Sequence, residues 1–413
     1  MKRIKTLHSS SNQGAYIPRN LGGQDDHLSR TTSKYSNNSA QHPISTDSIA
    51  RLPVPDRRIN LKISTYSMPV EIGCFSYGPD RGIKMQCREA LGYYHCPTLG
   101  ASLSEGFSDR FIKRDPASEH LDALLNCVKD ANQRLQANGK APVIPQICTW
   151  RGIMNKIAQV PYASNETWEF GVTLHKGTIY IEEHESIEKQ KSKFGATDRD
   201  AMFTYWGYKF ESLSTIPIPP NQLEHDDPVL KNRETAVVNT NIQFCSVFKT
   251  NYGSHSVVMG AEVDCVTREI ETGTSPQSVY AELKTTQVID TDRKRHSFEK
   301  FKLLRIWLQS YLAGVPKVII GFRTGDGHIS HVQEFDTSEL PRLVRGKPGM
   351  WDPNRCIAFG DQFLAWIKQV VTIDDWNTVY TVRFDSNKQM IEMLAPVTGG
   401  DQVFIPKDFS LEK

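Results

Sequence analysis

The chain has 413 residues, 38% hydrophobic and 23% charged, a mix that excludes a wholly disordered chain and suffices for a sizeable core. Lys and Arg total 49 against 47 Asp and Glu, so the formal net charge is only +2. The global charge names no partner, and a nucleic-acid binder of this composition needs a local basic patch. No apolar run approaches the roughly 18 residues of a membrane-spanning helix. Lys2, Arg3 and Lys5 have no apolar stretch after them, so the start does not read as a secretory signal. The eight cysteines are scattered and none forms a CxxC pair, which argues against a zinc module or a disulfide framework. A reducing compartment, cytosol or nucleus, is expected.

In chain order, residues 1–65 read as a disordered polar tail, rich in Ser, Asn, Gln and Thr and sparse in apolar residues. Residues 66–413 read as a single globular domain. Helical periodicity predicts helices at 118–135, 298–313 and 359–371. Apolar or alternating patterns predict strands at 168–182, 242–250, 256–266, 279–287 and 316–323. Pro217 to Asp227 reads as the main internal loop. Helices and strands mix without strict alternation, so the fold class is mixed α+β, a mixed sheet flanked by helices.

Two neighbouring segments carry the chemistry. In Gly260-Ala261-Glu262-Val263-Asp264-Cys265, residues two apart share a strand face, so Glu262 and Asp264 stand together. In Ala281-Glu282-Leu283-Lys284, Glu282 and Lys284 do the same. Residues 267–278, with Gly273 and Pro276, are long enough for a hairpin connection, and pairing of the two strands would bring Glu262, Asp264 and Glu282 together. Three carboxylates on one surface repel one another and suit a hard divalent cation, Mg²⁺ or Mn²⁺. A lysine beside them suits a phosphate oxygen. An acid followed by Glu-x-Lys on the next strand is the general pattern of metal-dependent nucleases of the PD-(D/E)xK type. Either tripeptide alone also fits an exposed strand face with charge pairs. Downstream, Phe301, Leu304, Leu308 and Leu312 make a core stripe, and Lys302, Arg305 and Gln309 lie on another face that suits a phosphate backbone.

An ordered set of segments resembles the DXO family of eukaryotic decapping nucleases. The set is Glu71-Ile72-Gly73-Cys74-Phe75-Ser76, Thr149-Trp150-Arg151-Gly152, Gly207-Tyr208-Lys209-Phe210-Glu211, the two acidic segments, Lys302-Leu303-Leu304-Arg305-Ile306-Trp307-Leu308-Gln309 and Gly321-Phe322-Arg323. The resemblance spans roughly residues 68–385. It implies a large mixed β-sheet, a second smaller sheet, flanking helices and an active site between the sheets. It implies Glu211, Glu262, Asp264, Glu282 and the Leu283 carbonyl as metal ligands, with Glu262, Asp264, Glu282 and Lys284 as the catalytic group. Read from the residues alone, Glu211 falls in a segment, Tyr205 to Leu213, that looks like the start of an amphipathic helix. By resemblance, Lys284 and Gln309 hold the scissile phosphate. Arg151, with Trp150 and Gly152, meets the RNA 5′ end, and Cys245 and Glu119 align with substrate-contacting positions. The implied substrates are NAD-capped, incompletely methylated and 5′-triphosphate RNA, with 5′–3′ degradation in some members. The fungal nuclear branch implies a nuclear location and the nuclear 5′–3′ exoribonuclease as partner, in a catalytic or a scaffolding role. No membrane association is implied.

Overall fold

The computed structural model describes residues 47–115, 120–184, 197–224 and 227–411. Its main element is an eleven-stranded mixed sheet. In spatial order ten of its strands are Ser48–Pro53, Met390–Leu394, Thr378–Asp385, Thr167–His175, Thr178–His184, Ile147–Trp150, His255–Glu262, Gln243–Tyr252, Val70–Tyr77 and Ile83–Met85. Val397–Thr398 pairs beside Thr378–Asp385. A six-stranded sheet follows the order Ile329–Asp336, Lys317–Arg323, Tyr280–Gln287, Cys265–Val266, Gly92–Tyr94 and Thr215–Ile216.

The two sheets share one core. Phe170, Val172, Ile179, Ile181, Val257 and Met259 of the large sheet join Val318, Ile320 and Phe322 of the small one. The helices Arg151–Gln159, Leu303–Ala313 and Pro353–Val370 contribute Ile157, Leu308 and Phe363 to that core. The helix Asp122–Ala137 covers the other face of the large sheet with Leu124, Leu125 and Val128 against Cys148 and Val258. The helix Asp198–Leu213 covers the other face of the small sheet, where Phe210 meets Leu283 and Ile319. Among the described residues no helix is long and apolar enough to cross a membrane.

Several expectations are corrected. Residues 47–65, assigned by composition to the tail, belong to the fold. Ser48–Pro53 is an edge strand on Met390–Leu394, and burial of Leu52 anchors it. The expected strand 168–182 is a hairpin that turns at Lys176 and Gly177, both at positive φ, with Gly177 free of the Cβ clash that makes this conformation costly. The expected loop from Pro217 contains a short 3-10 turn, Pro220–Gln222, and its residues 225–226 lie outside the described residues. The expected helix 298–313 has a π-turn at Phe298–Lys302 between the helices Asp292–Ser297 and Leu303–Ala313.

Candidate active site

The acidic segments meet where the chain changes sheets. The expected single strand 256–266 breaks into His255–Glu262 in the large sheet and Cys265–Val266 in the small one. The expected direct pairing of 256–266 with 279–287 is therefore replaced by a short one. Only Cys265 and Val266 face Ala281 and Tyr280, antiparallel, through the expected hairpin connection. At the break the Asp264 carboxylate takes over the ladder, with the Leu283 backbone N–H donating to its Oδ2 at 2.7 Å. Beyond Ala281 no described strand pairs with this edge of Tyr280–Gln287, while its other edge pairs with Lys317–Arg323. The cluster gathers at that open edge. Glu262 comes from the large sheet, Asp264 from the link, and Glu282 and Lys284 from the small sheet.

The Leu283 carbonyl lies on the same open edge as its N–H, because both groups of a strand residue point to one side. Lys284 Nζ pairs with Glu282 Oε1 and lies 3.8 Å from Asp264 Oδ2. Gln309, on the helix Leu303–Ala313, donates Nε2 to the same Glu282 oxygen.

Glu211 arrives from the helix Asp198–Leu213. That helix opens on a capping box. Asp200 N–H donates to Thr197 Oγ1, and Thr197 N–H donates to Asp200 Oδ2. The segment Tyr205 to Leu213 is thus the end of a helix, not its start, and Glu211 sits in the last turn. Gly321 lets the helix sit low on the small sheet, since a Cβ there would stand 2.2 Å from the Phe210 ring.

The cluster carries excess negative charge. Glu211 is held well above the usual carboxylate range by burial first and then by Asp264. Burial, then Glu282, pushes Asp264 from an ordinary 3.8 to about 7. Glu262 is reached by solvent, yet its carboxylate lies deep among protein atoms, and that enclosure raises its pKa, with Glu282 adding to it. Burial opposes the charge on Lys284, but Glu282, Asp264 and Glu211 outweigh it and raise its pKa. Four carboxylates thus face one ammonium. Among the described residues no three His, Cys, Asp or Glu side chains already form a closed ion cage. The all-oxygen donor set and its uncompensated charge nevertheless fit a hard divalent cation, which would relieve the repulsion.

Arg151, the first residue of the helix Arg151–Gln159, is 7% exposed, and its charge lowers the pKa of Glu262. Its Nε is buried without a hydrogen-bond partner among the described residues. Trp150 packs on Gly260, where a Cβ would stand 2.6 Å from its ring. Gly152 faces open space. Cys245 is buried directly across the ladder from Glu262. Glu119 lies outside the described residues.

The expected common face of Lys302, Arg305 and Gln309 is split. Lys302 Nζ donates to the Thr285 carbonyl at 2.5 Å, Arg305 pairs with Glu166, and only Gln309 reaches the cluster.

Two residues escaped the sequence reading. Gln243 donates Nε2 to Glu262 Oε1 at 2.9 Å and accepts from Arg114 Nη1 at 3.2 Å. Tyr208 is enclosed beside Glu262 and Glu211, and burial, then those two carboxylates, raises its phenol pKa. Gln243 opens an apolar strand, where one polar residue gives no signal. Tyr208 stands within Gly207-Tyr208-Lys209-Phe210-Glu211, where an aromatic residue on a helix reads as core.

The family described as RAI1-like PD-(D/E)XK nuclease matches residues 67–410. The Neurospora crassa decapping nuclease RAI1 is 37% identical over 344 residues, covering 81% of each chain. The Xenopus laevis decapping and exoribonuclease protein is 35% identical over 329 residues, covering 76% of this chain and 79% of its own. Among solved structures, Scheffersomyces stipitis Rai1 in complex with (3′-NADP)⁺ and calcium ion superposes with a TM-score of 0.73 at 26% identity, covering 83% of this chain and 95% of its own. The sheet junction and the matched segments agree, and the chain belongs to the RAI1-like PD-(D/E)XK nuclease family.

Proposed function

We propose that this chain hydrolyses phosphodiester and anhydride bonds at RNA 5′ ends that lack a complete methylated cap. NAD-capped, incompletely methylated and 5′-triphosphate ends are its substrates, and RNA with a 5′-monophosphate is left. The observation that carries this is the convergence of Glu211, Glu262, Asp264 and Glu282 around Lys284 at the sheet junction, with Arg151 beside Glu262. The decapping nucleases among the relatives support it. So does the nucleotide bound by the S. stipitis protein, because 3′-NADP⁺ is NAD carrying a phosphate at the position where an RNA chain would join.

The four carboxylates and the Leu283 carbonyl would hold the divalent cation, Mg²⁺ or Mn²⁺. When bound, it supplies Lewis acidity to the phosphoryl group and to the attacking water. Lys284 has three N–H donors and spends them on Glu282 and, at longer range, Asp264, so one remains for a phosphate oxygen. Gln309 has a second amide N–H for the same phosphate. Arg151 offers a fixed guanidinium fork to the diphosphate of the 5′ end. Water adds to the phosphorus that stays with the RNA. The departing oxygen belongs to the ribose of the cap nucleotide or to pyrophosphate.

The test uses three end-labelled RNAs of one sequence with an NAD cap, a 5′-triphosphate or a 5′-monophosphate, each with and without Mg²⁺ or Mn²⁺. Metal-dependent release of intact NAD or of pyrophosphate is expected. Shortening of the monophosphate RNA would add 5′–3′ exonuclease activity. No turnover of any RNA by folded protein would overturn the hydrolase reading. The resemblance to fungal members also supports a nuclear location and the nuclear 5′–3′ exoribonuclease as partner. Co-purification with that enzyme, unchanged by Glu262→Ala, is the expected result, and absence of the complex from nuclear extract would remove the partner.

A further inference from the structure

We infer that Gln243 is a positioning residue for Glu262, locked in one orientation by Arg81 and Arg114, and that this relay sets how tightly the acidic cluster takes its cation. The inference rests on the metal site of the proposed hydrolase. Among the described residues the Gln243 amide is the only side chain that hydrogen-bonds the Glu262 carboxylate, with Nε2 donating to Oε1 at 2.9 Å. The pose of Glu262 therefore depends on which way one amide faces.

An amide alone does not choose. Its carbonyl and amino ends are alike in size and shape, and a half turn about the last bond exchanges them. Two guanidinium groups make the choice here. Arg81 Nη1 donates to Gln243 Oε1 at 2.5 Å, and Arg114 Nη1 donates to the same oxygen at 3.2 Å. Arginine carries donors only, so both must meet the oxygen, and the NH₂ end is left for Glu262. A flipped amide would set its N–H groups against two cations and its oxygen against a carboxylate. The two charges also polarise the amide and strengthen it as a donor.

Separate, fixed stretches of backbone deliver the two arginines. Arg114 N–H donates to Thr240 Oγ1 at 2.7 Å, beside the short pairing of Phe111–Ile112 with Val238–Asn239. Arg81 stands at φ 67°, a left-handed conformation that L side chains seldom adopt. Its N–H donates to the Gly78 carbonyl in a turn closed by Gly78 N–H on the Gly82 carbonyl. Its guanidinium lies 3.4 Å from the centroid of the Tyr77 ring, and Tyr77 stands directly across the ladder from Gln243. Strain of this kind persists where the surroundings hold a side chain on a target, and the target here is the Gln243 oxygen. Gln243 is two residues from Cys245, which faces Glu262, so its side chain reaches Glu262 along the diagonal of the ladder.

The test titrates Mn²⁺ into the ion-free full chain by calorimetry and separately follows hydrolysis of 5′-triphosphate RNA against Mn²⁺ concentration. Gln243 is half-buried at the start of its strand, and Gln243→Leu keeps its bulk without donor or acceptor. This variant is expected to bind Mn²⁺ about tenfold more weakly or worse, the scale of losing an outer partner of a metal ligand, and to recover most of its hydrolysis at saturating Mn²⁺. Arg81→Ala is expected to weaken Mn²⁺ binding as well, yet to add nothing in the Gln243→Leu background, because its effect passes through the amide. Wild-type Mn²⁺ affinity in Gln243→Leu would overturn the relay. So would losses that add in the double variant, or a raised KM for RNA in Arg81→Ala with unchanged Mn²⁺ affinity, which would make Arg81 a substrate contact. Hydrolysis by the wild type alongside any of these results would leave the hydrolase reading standing. Mn²⁺ binding that depends on Gln243, without hydrolysis of the RNA, would keep the relay and sink the hydrolase reading instead.

Discussion

The two walls of the cleft are built in opposite ways. On the small-sheet wall the charges are tied down. Glu282 receives both Lys284 and Gln309, and Asp264 holds the Leu283 N–H. On the large-sheet wall the partners run short. Glu262 receives Gln243 alone among the described side chains, and Arg151 is buried with an unsatisfied Nε. A buried donor without a partner costs free energy, and the fold carries that cost beside its acidic cluster. The contrast assigns roles. The tied wall fixes the geometry of the scissile phosphate, and the loose wall holds donors in reserve for groups that arrive with cation and substrate.

The largest effect that would break this comparison is loss of the acids. Glu262→Ala or Asp264→Ala should lower hydrolysis more than about 100-fold, beyond what loss of an outer partner of a metal site usually costs. Removing the Glu262 charge from a repelling cluster should leave the fold intact and the ion-free melting temperature unchanged or higher, whereas Asp264→Ala also strands the Leu283 N–H and should melt somewhat lower. Full activity of both variants with metal present would remove these residues from the site.

On the loose wall, Arg151→Lys keeps the charge and removes the planar fork. If Arg151 meets the 5′ diphosphate, KM for capped RNA should rise about tenfold, the worth of one charge-assisted hydrogen bond. Little change in kcat is expected, since the scissile phosphate is held by the other wall. An equal loss in kcat with KM unchanged would move Arg151 to the reacting bond and erase the division between the walls.

The charge imbalance also predicts how stability depends on pH. Asp264 titrates near 3.8 in an unfolded chain and near 7 in the fold. Between about pH 4 and 7 the folded chain holds a proton that the unfolded chain has released, so each rise in pH favours unfolding. Glu211 and Glu262, also raised by burial, act in the same direction. Ion-free protein should therefore melt several degrees lower at pH 8 than at pH 5. Mg²⁺ or Mn²⁺ should restore more of the melting temperature at pH 8, where the carboxylates are ionised. A melting temperature indifferent to both pH and cation would mean the four acids do not share one site.

Much of this was legible in the sequence because the small-sheet strands are apolar enough to show. Val318, Ile319, Ile320 and Phe322 are buried on both faces, and so are Val257, Val258 and Met259. The same continuity hid the sheet change at Val263 and Asp264, because Val263 and Cys265 are buried on either side of it and the apolar pattern never breaks. Glu211 was found by resemblance alone. Its helix buries Lys209, whose ammonium donates to the Glu234 carbonyl, so the polar pattern does not mark an exposed face. Ser48–Pro53 escaped because an edge strand needs only one buried side chain, Leu52, to dock.

The smallest effect separates two glycines that the sequence could not tell apart. A Cβ at Gly260 would stand 2.6 Å from the Trp150 ring, so Gly260→Ala must push Trp150 away and should cost about 1–3 kcal/mol. Gly152 sits in the first turn of the helix Arg151–Gln159, exposed, and a Cβ there meets nothing within 4 Å. Packing alone therefore gives no reason for glycine, and Gly152→Ala should stabilise the fold by at most about 1 kcal/mol. If the 5′ end is seated beside Arg151, the same methyl intrudes on the substrate, and KM should rise while the melting temperature does not fall. A more stable variant with unchanged KM would show that the open space beside Gly152 is solvent, and that Arg151 receives its ligand from the side of Glu262 alone.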